Sequence, residues 1–311
     1  MTAKSKECVA VLLCCFQGKK FITEQIDSII NQSHKDISLW ISIDGEDDGS
    51  ESLIKERTRG WNGGPLHILS GPGKGFASNF LFLLCNEDIK ADYYSFSDQD
   101  DIWEEDKLSR ALEYLRSVPQ NEPAIYGSRT TLINEFGENQ GESKIFKKKP
   151  SFGNALVQNI IAGNTMVLNQ AARNLIKNHF KNNKIVFHDW LLYLVVSAVG
   201  GTVFYDSYAS LRYRQHGRNL MGQNINFFSR FRRLQLLSNG TFRAWNDTNL
   251  VLLESIRDIM TKESKKSFDF FKNSRDKTLF PRIFGFWKAG IYRQAFYENV
   301  FLFISCLLKR I

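Results

Sequence analysis

The 311-residue sequence contains few cysteines and few prolines. Its five cysteines, Cys8, Cys14, Cys15, Cys85 and Cys306, are an odd number, and four of them lie in apolar runs. This is not the pattern of a disulfide framework, and without a CxxC pair it is not that of a zinc site. We therefore expect buried, reduced thiols. Six prolines in a chain that is 43% hydrophobic exclude a collagen-like, low-complexity or disordered protein.

Long hydrophobic runs are also missing. The longest uncharged apolar stretch near the C-terminus is Val300–Leu308, which Ser305 interrupts, whereas a membrane-spanning helix needs about 20 residues. The first residues, Met1–Glu7, are polar, and the apolar run Cys8–Phe16 that follows is short for a secretory signal. The sequence therefore predicts a cytoplasmic protein with neither a transmembrane segment nor a secretory signal.

Charge is unevenly distributed along the chain. The net charge is +8, but residues 1–120 carry 13 Lys and Arg against 20 Asp and Glu, whereas residues 121–311 carry 28 against 13. An acidic first part can hold a metal ion, and a basic second part can contact an anionic surface. The charge distribution therefore indicates two separate tasks.

The first hundred residues alternate between strand-like and helix-like segments. Short apolar runs predict four strands, and helical spacing of apolar residues predicts a helix after each. This alternation predicts an α/β fold with a mostly parallel sheet flanked by helices. In such sheets the ligand lies beyond the carboxyl ends of the strands. The predicted strands are Val9–Leu13, Ile37–Ile43, Leu66–Leu69 and Tyr93–Phe96, and the helices are Phe21–Asn31, Asp48–Arg57, Phe76–Cys85 and Glu104–Leu115.

The second half of the chain is mixed. We place a boundary near residue 220, with a catalytic domain over residues 1–220 and a helical, basic C-terminal region over residues 221–311. The extended segments are predicted at Ala124–Ile133, Thr165–Leu168, Thr202–Tyr205 and Ala209–Arg214, and the helices at Gln170–Asn178, Asp189–Val199 and from Asn224 onward.

The strongest local motif is Ser97–Trp103 (SDQDDIW), directly after a predicted strand. Its carboxylates Asp98, Asp100 and Asp101 repel one another unless a cation is present. Mg²⁺ and Mn²⁺ prefer oxygen ligands and often share them with substrate phosphates. The alternative is a solvated turn that caps the following helix. Three carboxylates exceed what one cap needs, which favours a metal site.

A second acidic turn, Asp44–Ser50, follows the second predicted strand. Asp44 can accept a hydrogen bond from a nucleobase or a ribose hydroxyl, whereas the other carboxylates are typical of turns and helix caps. The glycine-rich segment Gly71–Gly75 lacks the spacing of a P-loop or a dinucleotide motif. Its Lys74 is a candidate for contact with a diphosphate, although a plain turn is the simpler interpretation.

Two later motifs carry further candidates. His188-Asp189-Trp190 opens an apolar helix, where Asp189 is either a helix cap or a general base with a raised pKa. Tyr213–Asn219 (YRQHGRN) follows a predicted strand. There His216 is a candidate for metal or phosphate binding, and Arg214 or Arg218 for stabilising a leaving diphosphate. A lone histidine is more often structural, so each motif is ambiguous alone.

Taken in order, these motifs resemble family 2 glycosyltransferases of the GT-A fold, in the branch of bacterial rhamnosyltransferase-like enzymes. The resemblance covers roughly residues 8–220, and SDQDDIW and HDW are its most specific parts. The matching elements are Cys15–Gly18, Phe21–Gln32, Ser42–Gly45, Gly75–Phe80, Ser97–Trp103, His188–Trp190 and Tyr213–His216.

The resemblance implies inverting, metal-dependent transfer of a sugar from a nucleoside diphosphate sugar, dTDP-rhamnose or a UDP-sugar. The acceptor would be a hydroxyl of a glycan or of a lipid-linked oligosaccharide in surface polysaccharide synthesis. Asp189 would be the general base, and Asp44 would contact the base of the nucleotide. Asp98, which is also near the ribose, and Asp100 would bind Mg²⁺ or Mn²⁺, with His216 beside the metal or the diphosphate. The candidates for donor binding are Asp44, Lys74, Asn79, Asp98 and Arg214.

The chain departs from the family pattern at two places around the nucleotide site. Cys15-Phe16-Gln17 replaces the usual Thr-Tyr-Asn or Ser-Tyr-Asn, and Ile43 replaces the first of two aspartates. Both changes lie around the nucleotide site, so the family pattern does not identify the nucleotide that is bound. The QxxRW signature of processive synthases is absent, which favours a single addition.

The C-terminal region mixes cations with large apolar residues, as in Phe227–Arg233 and Phe284–Lys288. This composition suits a helix lying in the interface of an anionic membrane, here the inner face of the cytoplasmic membrane. A helical subdomain that packs on the catalytic domain or on a second subunit in a homodimer is the alternative. No nucleic-acid partner is expected, because nothing resembles a nucleic-acid-binding module.

One alternative function belongs to a different class. The altered residues around the nucleotide site also suit a non-catalytic protein that binds carbohydrate or a membrane surface on a degenerate transferase scaffold. The intact Asp98, Asp100 and Asp189 argue against it. A sugar-nucleotidyltransferase is disfavoured because Cys15–Lys20 contains only one glycine.

Overall fold

The computed structural model describes residues 7–217 and 240–311. Strands and helices alternate in the first part as predicted. Every residue of the first two strands is buried, because helices cover both faces of the sheet there. The elements are β1 (Val9–Cys15), α1 (Ile22–Ile30), β2 (Ile37–Ile43), α2 (Ser50–Arg57), β3 (Leu66–Ser70), α3 (Phe76–Cys85), β4 (Tyr93–Asp98), β5 (Ile102–Trp103) and α4 (Lys107–Leu115).

The second part departs from the prediction in two strands, and the strand Asn139–Glu142 and the helix Phe152–Ala155 were not predicted. The two strands predicted at 202–205 and 209–214 form one strand of 13 residues, whose register against its partner shifts at Ser128/Arg129. The strand predicted at 165–168 begins at Val167, after a 3-10 turn over Gly163–Thr165. The elements are β6 (Ala124–Ile133), β7 (Asn139–Glu142), α5 (Phe152–Ala155), β8 (Val167–Asn169), α6 (Gln170–Phe180), α7 (His188–Ala198) and β9 (Thr202–Arg214).

The nine strands found in the described residues belong to one sheet. Their order is β3-β2-β1-β4-β8-β6-β9-β5, and β7 pairs with β6. Strands β1 to β4 are parallel, whereas β8 runs antiparallel to both β4 and β6. The sheet is therefore mixed: β6 and β9 are also parallel, whereas β5 pairs antiparallel with β9 and β7 antiparallel with β6. Because β2 and β4 are parallel and flank β1, Asp44 and Asp98 lie at the same edge of the sheet.

The C-terminal helices pack on the rest of the molecule. Phe242 of the first of these helices stacks near Trp190 of α7, with ring centroids 6.2 Å apart, and the two belong to one continuous hydrophobic core. This is the packing arrangement that the sequence left open. The elements are α8 (Thr241–Ser255), a 3-10 turn at Arg257–Ile259, α9 (Lys262–Ser274), α10 (Leu279–Lys288) and α11 (Phe296–Leu307).

Within residues 7–217 and 240–311, every helix is too short or too polar to cross a membrane. Two features singled out in the sequence, Arg218 and the basic, aromatic stretch Phe227–Arg233, lie outside the described residues.

Candidate active site

Strand β4 brings the acidic turn to the carboxyl edge of the sheet. Asp98 is the last residue of β4, and Asp100 follows it before β5. Burial, together with the nearby charges of Asp100 and Asp189, raises the pKa of Asp98 to about 8. Two ionised carboxylates at this turn repel each other, and a bound cation relieves such repulsion.

His216 contacts this turn directly. Its Nε2 lies 2.7 Å from Oδ2 of Asp100, and its ring stacks on Phe21 with centroids 5.4 Å apart. The structure therefore brings together His216 and Asp100, two of the predicted metal ligands, although they are 116 positions apart.

The three predicted metal ligands do not form a preformed site. Among the residues that the structure describes, no group of three or more His, Cys, Asp or Glu side chains is arranged to hold a metal. Asp98 and Asp100 nevertheless have the right chemistry, because Mg²⁺-type ions bind through one or two carboxylates and complete their coordination with substrate phosphates. These residues therefore fit a metal that is bound together with a diphosphate, and not one held by the protein alone.

Asp101 supports the turn from inside the protein. Its side chain is fully buried. Oδ2 accepts a hydrogen bond from Nδ2 of Asn164 at 2.6 Å, and Oδ1 accepts one from the backbone N–H of Arg214 at 3.2 Å. Burial and the neighbouring carboxylates Asp100 and Asp98 raise the pKa of Asp101 well above its ordinary value. Of the three carboxylates, this one is structural.

The sequence analysis assigned Arg214 to the donor diphosphate, but the structure places its side chain inside the protein. Its side chain is 1% exposed. The guanidinium donates to the carbonyl oxygens of Asp100 at 3.0 Å and Glu135 at 3.1 Å, and to Oε2 of Glu24 at 2.8 Å. It also lies over the ring of Phe21. These contacts make Arg214 a buried support for the backbone of the acidic turn.

Asp44 anchors the glycine-rich loop. It is 6% exposed, and its Oδ1 accepts a hydrogen bond from the backbone N–H of Gly73 at 2.5 Å. Gly71 passes so close that a Cβ there would lie 2.6 Å from the same oxygen. Lys74 is exposed on this loop, next to Gly73. The predicted nucleotide-side residues Asp44 and Lys74 are therefore neighbours at one edge of the sheet.

Asn79 has a structural role instead of the predicted donor contact. It is 1% exposed. Its Oδ1 accepts a hydrogen bond from Oγ of Ser42 at 2.5 Å, and its Nδ2 donates to the carbonyl oxygen of Ser42 at 3.4 Å. Asn79 therefore ties α3 to β2 beneath the Asp44 loop, and its amide is engaged with Ser42.

Phe16 is a residue that the candidate set omitted. Its ring is 58% exposed and lies beside the Asp44 turn, since a Cβ on Gly45 would be 3.3 Å from the ring. The amide of Gln99 holds the backbone of Phe16 by two hydrogen bonds, at 2.6 Å and 2.9 Å. An exposed aromatic ring on a fixed backbone can stack on a planar ligand. The sequence showed Phe16 only as a departure from a family motif.

Asp189 opens α7 and its carboxylate is locked in place. Oδ1 accepts the backbone N–H of Trp190 at 2.7 Å, and Oδ2 accepts that of Gly163 at 3.1 Å. Burial raises the pKa of Asp189 to about 6, although hydrogen bonds from Trp190, Gly163 and the Asn159 side chain act in the opposite direction. A carboxylate with this pKa is ionised near pH 7 and is basic enough to accept a proton.

His188 packs behind Asp189 as a neutral, apolar-facing ring. It stacks on Phe80 with centroids 4.1 Å apart and meets Phe96 edge-on at 4.8 Å. Burial lowers its pKa to about 3. His188 is therefore uncharged at neutral pH and orients the start of α7 by packing.

Two consecutive residues connect two carboxylate centres, namely the acidic turn Asp98–Asp101 and the Asp189 carboxylate at the start of α7. Gly163 donates to Asp189 and Asn164 donates to Asp101. The charge of Asp189 also contributes to the raised pKa of Asp98, so the two centres lie within electrostatic reach of each other. The arrangement places the acidic turn on one side and, on the other, Asp189, whose pKa of about 6 would let it accept a proton.

Comparisons with known proteins bear on the family and the fold of the chain. Residues 10–179 match the family described as Glycosyl transferase family 2. The dTDP-rhamnosyl transferase RfbG of Shigella flexneri is 30% identical over 239 residues, which are 74% of this chain and 81% of that protein. The putative teichuronic acid biosynthesis glycosyltransferase TuaG of Bacillus subtilis is 25% identical over 113 residues, 35% of this chain and 42% of TuaG.

Solved structures with low sequence identity share the fold. Residues 1–349 of S. aureus TarS in complex with UDP-GlcNAc superpose with a TM-score of 0.51 at 12% identity, covering 92% of this chain and 93% of that one. The mannosyltransferase PcManGT of Pyrobaculum calidifontis, in complex with GDP-Man and Mn²⁺, gives a TM-score of 0.50 at 12% identity, covering 97% and 86%.

Proposed function

This chain belongs to glycosyl transferase family 2, and on that premise we propose that it is an inverting enzyme that transfers rhamnose from dTDP-rhamnose. The predicted glycosyltransferase activity and GT-A fold are confirmed. The similarity to RfbG, named as a dTDP-rhamnosyl transferase, favours this donor. A UDP-sugar is the second candidate, because TarS, whose fold is shared, was solved with UDP-GlcNAc. The proposed acceptor is a hydroxyl of a glycan or a lipid-linked oligosaccharide in surface polysaccharide synthesis.

The observation that carries the proposal is the pairing of two unlike carboxylate centres through Gly163 and Asn164. An inverting transfer needs one base on the acceptor side and charge neutralisation on the diphosphate side, and these must not be the same group. Asp189 has the pKa and the fixed orientation of a base, and the Asp98–Asp100 turn has the carboxylates that a metal–diphosphate complex requires.

The proposed step is a single displacement at the anomeric carbon. Asp189 accepts the proton of the acceptor hydroxyl, and the acceptor oxygen attacks the face of the sugar opposite the diphosphate. The new C–O bond forms as the bond from the anomeric carbon to the diphosphate oxygen breaks, and the nucleoside diphosphate leaves with that electron pair. A divalent cation bound with the donor at Asp98 and Asp100 would neutralise the charge that develops on the leaving group.

The nucleotide is proposed to bind where Phe16, Asp44 and Lys74 lie together. The exposed ring of Phe16 would stack on the base, and the Asp44 carboxylate would accept a hydrogen bond from it. Lys74 would approach the diphosphate as a mobile cation. All five cysteines are free thiols and four are buried, which is typical of a reducing compartment, so we propose that the reaction takes place in the cytoplasm.

The proposal is tested by measuring binding and turnover separately. Calorimetry with dTDP, UDP, GDP and CDP, with and without Mn²⁺, should detect metal-dependent binding of dTDP in preference to the others. Asp189→Asn should bind dTDP and Mn²⁺ like the wild type but lose at least about 10²-fold in turnover of dTDP-rhamnose. Asp100→Ala should lose metal-dependent binding, and the surface variant Asp88→Asn is the matched control. Metal-independent binding, or turnover retained by Asp189→Asn, would contradict the mechanism.

A further inference from the structure

Helices α10 and α11 form an antiparallel pair whose outer surface is apolar. Nη2 of Arg282, near the start of α10, donates to the carbonyl oxygen of Leu307 at the end of α11, at 3.1 Å. Phe280 is 82% exposed, Trp287 70% and Phe296 85%. The six side chains that define this apolar face recur at helical spacing on the two helices: Phe280, Phe284, Trp287, Phe296, Val300 and Phe303.

The exposure does not arise from loose packing of the two helices. Their opposite sides are buried, with Phe286, Leu302 and Cys306 in the core. Gly285 lies so close to α9 that a Cβ there would meet Oγ of Ser274 at 1.6 Å. One side of each helix therefore packs on the protein. The apolar face is on the other side, and the described part of the chain leaves it in solvent. Contiguous exposed apolar surface of this kind marks an interaction site.

Exposed cations accompany the apolar face. Lys277, Lys288, Lys309 and Arg310 are exposed, whereas Glu298, which is the single acidic residue of residues 277–311, is buried. The loop 144–149 adds four lysines and is attached at the start of α11, where the backbone N–H of Lys148 donates to Oε1 of Gln294 at 2.9 Å. Lys288 lies over the ring of Trp287, 4.9 Å from its centroid. The face is therefore an aromatic surface with a cationic rim.

We propose that this face docks the protein on an anionic lipid bilayer. Aromatic and aliphatic side chains on one side of a helix enter the boundary between headgroups and acyl chains, while Lys and Arg beside them pair with anionic headgroups. Trp287 with Lys288 stacked on it suits that boundary, since an indole ring and a long cationic side chain each have an apolar body and a polar end.

A second copy of the chain fits this surface less well. In a two-fold symmetric dimer the same patch meets itself, so the two cationic rims would be brought together in one interface. Like charges in a partly desolvated contact repel. An anionic bilayer supplies the opposite charge to the same rim, which is why the charge pattern favours lipid.

Docking would also hold the acceptor side of the site near the bilayer. This consequence rests on the proposed function. The start of α11 is bound to the segment before Gly163: Nε2 of Gln158 donates to Oε2 of Glu298 at 3.0 Å, and Nη1 of Arg293 donates to the carbonyl oxygen of Val157 at 2.7 Å. The next residue, Asn159, hydrogen-bonds to Asp189. A lipid-linked acceptor would thus meet an enzyme that is already bound to the membrane in which the acceptor is anchored.

The test is co-sedimentation of the full chain with vesicles, without nucleotide or acceptor, so that its outcome is independent of the proposed function. The protein should bind vesicles of phosphatidylglycerol and phosphatidylcholine, and bind pure phosphatidylcholine weakly. Binding should weaken in about 1 M salt, where the Debye length is about 3 Å. The triple variant Phe280→Ser, Phe284→Ser, Trp287→Ser should lose at least about tenfold in vesicle affinity, whereas Val251→Ser, an exposed apolar position on α8, should not.

A second readout keeps the result independent of any effect on folding. Brominated lipids should quench the fluorescence of Trp287, and Trp287→Phe should remove that quenching while vesicle binding persists. Equal binding by the triple variant and the wild type would overturn the proposal. So would a dimer in solution that the triple variant converts to a monomer, together with no binding of the wild type to anionic vesicles, because the face would then belong to a second copy.

Discussion

The backbone N–H of Gly163 donates to the carboxylate of Asp189 across 3.1 Å, and Gly163 has no room for a side chain. A Cβ at this position would lie 2.5 Å from Nε2 of His188 and 3.4 Å from Cβ of Asp189. The orientation of the proposed base therefore depends on a glycine 26 positions away, in the 3-10 turn that also carries Asn164.

Gly163→Ala should displace Asp189 without altering the nucleotide site. We expect a loss of about 10²-fold in kcat, because small misplacements of a reacting group have effects of that size, with an unchanged Kd for the metal–nucleotide complex. Gly60→Ala is the control, since a Cβ at Gly60 meets nothing within 4 Å. A variant that loses nucleotide binding and turnover equally would indicate a general disturbance of the fold instead.

The pH dependence of turnover should report Asp189. Burial raises its pKa to about 6, and a general base must be deprotonated to act, so kcat at saturating donor should rise with pH through about 6 and then level off. Below the pKa, kcat should fall by about tenfold per pH unit. His188 should not contribute, because burial lowers its pKa to about 3. Steady-state kinetics from pH 5 to 8 would detect this limb, and a flat profile would argue against Asp189 as the base.

His216 should act through Asp100. Because its Nε2 lies 2.7 Å from Oδ2 of Asp100, His216→Ala should weaken Mn²⁺-dependent nucleotide binding by about 10- to 100-fold, the usual effect of removing a residue that orients a metal-binding carboxylate. Titration calorimetry with Mn²⁺ and dTDP measures this. The exposed His179→Ala serves as control, and nucleotide binding as tight as that of the wild type would remove His216 from the metal site.

Arg214 offers a direct test between a structural role and a diphosphate contact. The guanidinium hydrogen bonds that the structure describes lie inside the protein, so Arg214→Ala should lower the free energy of unfolding by about 3 kcal/mol, as expected when a buried charged partner is removed. Urea denaturation of the variant measures this loss. If the protein keeps its stability but no longer binds nucleoside diphosphates, the original diphosphate prediction is the correct one.

Phe16 should determine how tightly the nucleotide base is held. Stacking of a base on an aromatic ring is worth about 1–3 kcal/mol, so Phe16→Ala should raise the Kd for dTDP by about 5- to 150-fold, while Phe16→Tyr should keep near wild-type affinity. Phe136→Ala is the matched control, because Phe136 is 79% exposed in the β6–β7 turn. Equal affinities of the two alanine variants would place the base elsewhere.

The order of the elements in the first part was predictable because each depends on local pattern. Apolar runs such as Ile37–Ile43 form strands that are buried on both faces, and the predicted and observed bounds of that strand are identical. The position of Asp44 and Asp98 at one sheet edge followed from parallel pairing alone. The helix Phe76–Cys85 was likewise predicted with its observed bounds.

The structure differs from the predictions where long-range contacts override local pattern. The polar residues near Asp206 interrupt the apolar alternation and predicted two strands, but pairing with β6 continues through a register shift and makes one strand, β9. Asn79 and Arg214 were assigned to the donor because their motifs resemble functional ones. Whether an amide or a guanidinium faces ligand or core depends on partners such as Ser42 and Glu24, which are 37 and 190 positions away.

The sequence by itself determined the residue types and their order, and therefore the class of fold, the family resemblance and the presence of an acidic turn after β4. Only the tertiary structure decided the environment of each carboxylate. Asp98, Asp100 and Asp101 are nearly equivalent in sequence, yet Asp101 is enclosed by Asn164 and Arg214, Asp100 pairs with His216, and Asp98 lies within electrostatic reach of Asp189. The physical reason is that burial and hydrogen-bond partners set the pKa and the role of a carboxyl group, and both come from residues distant in the chain.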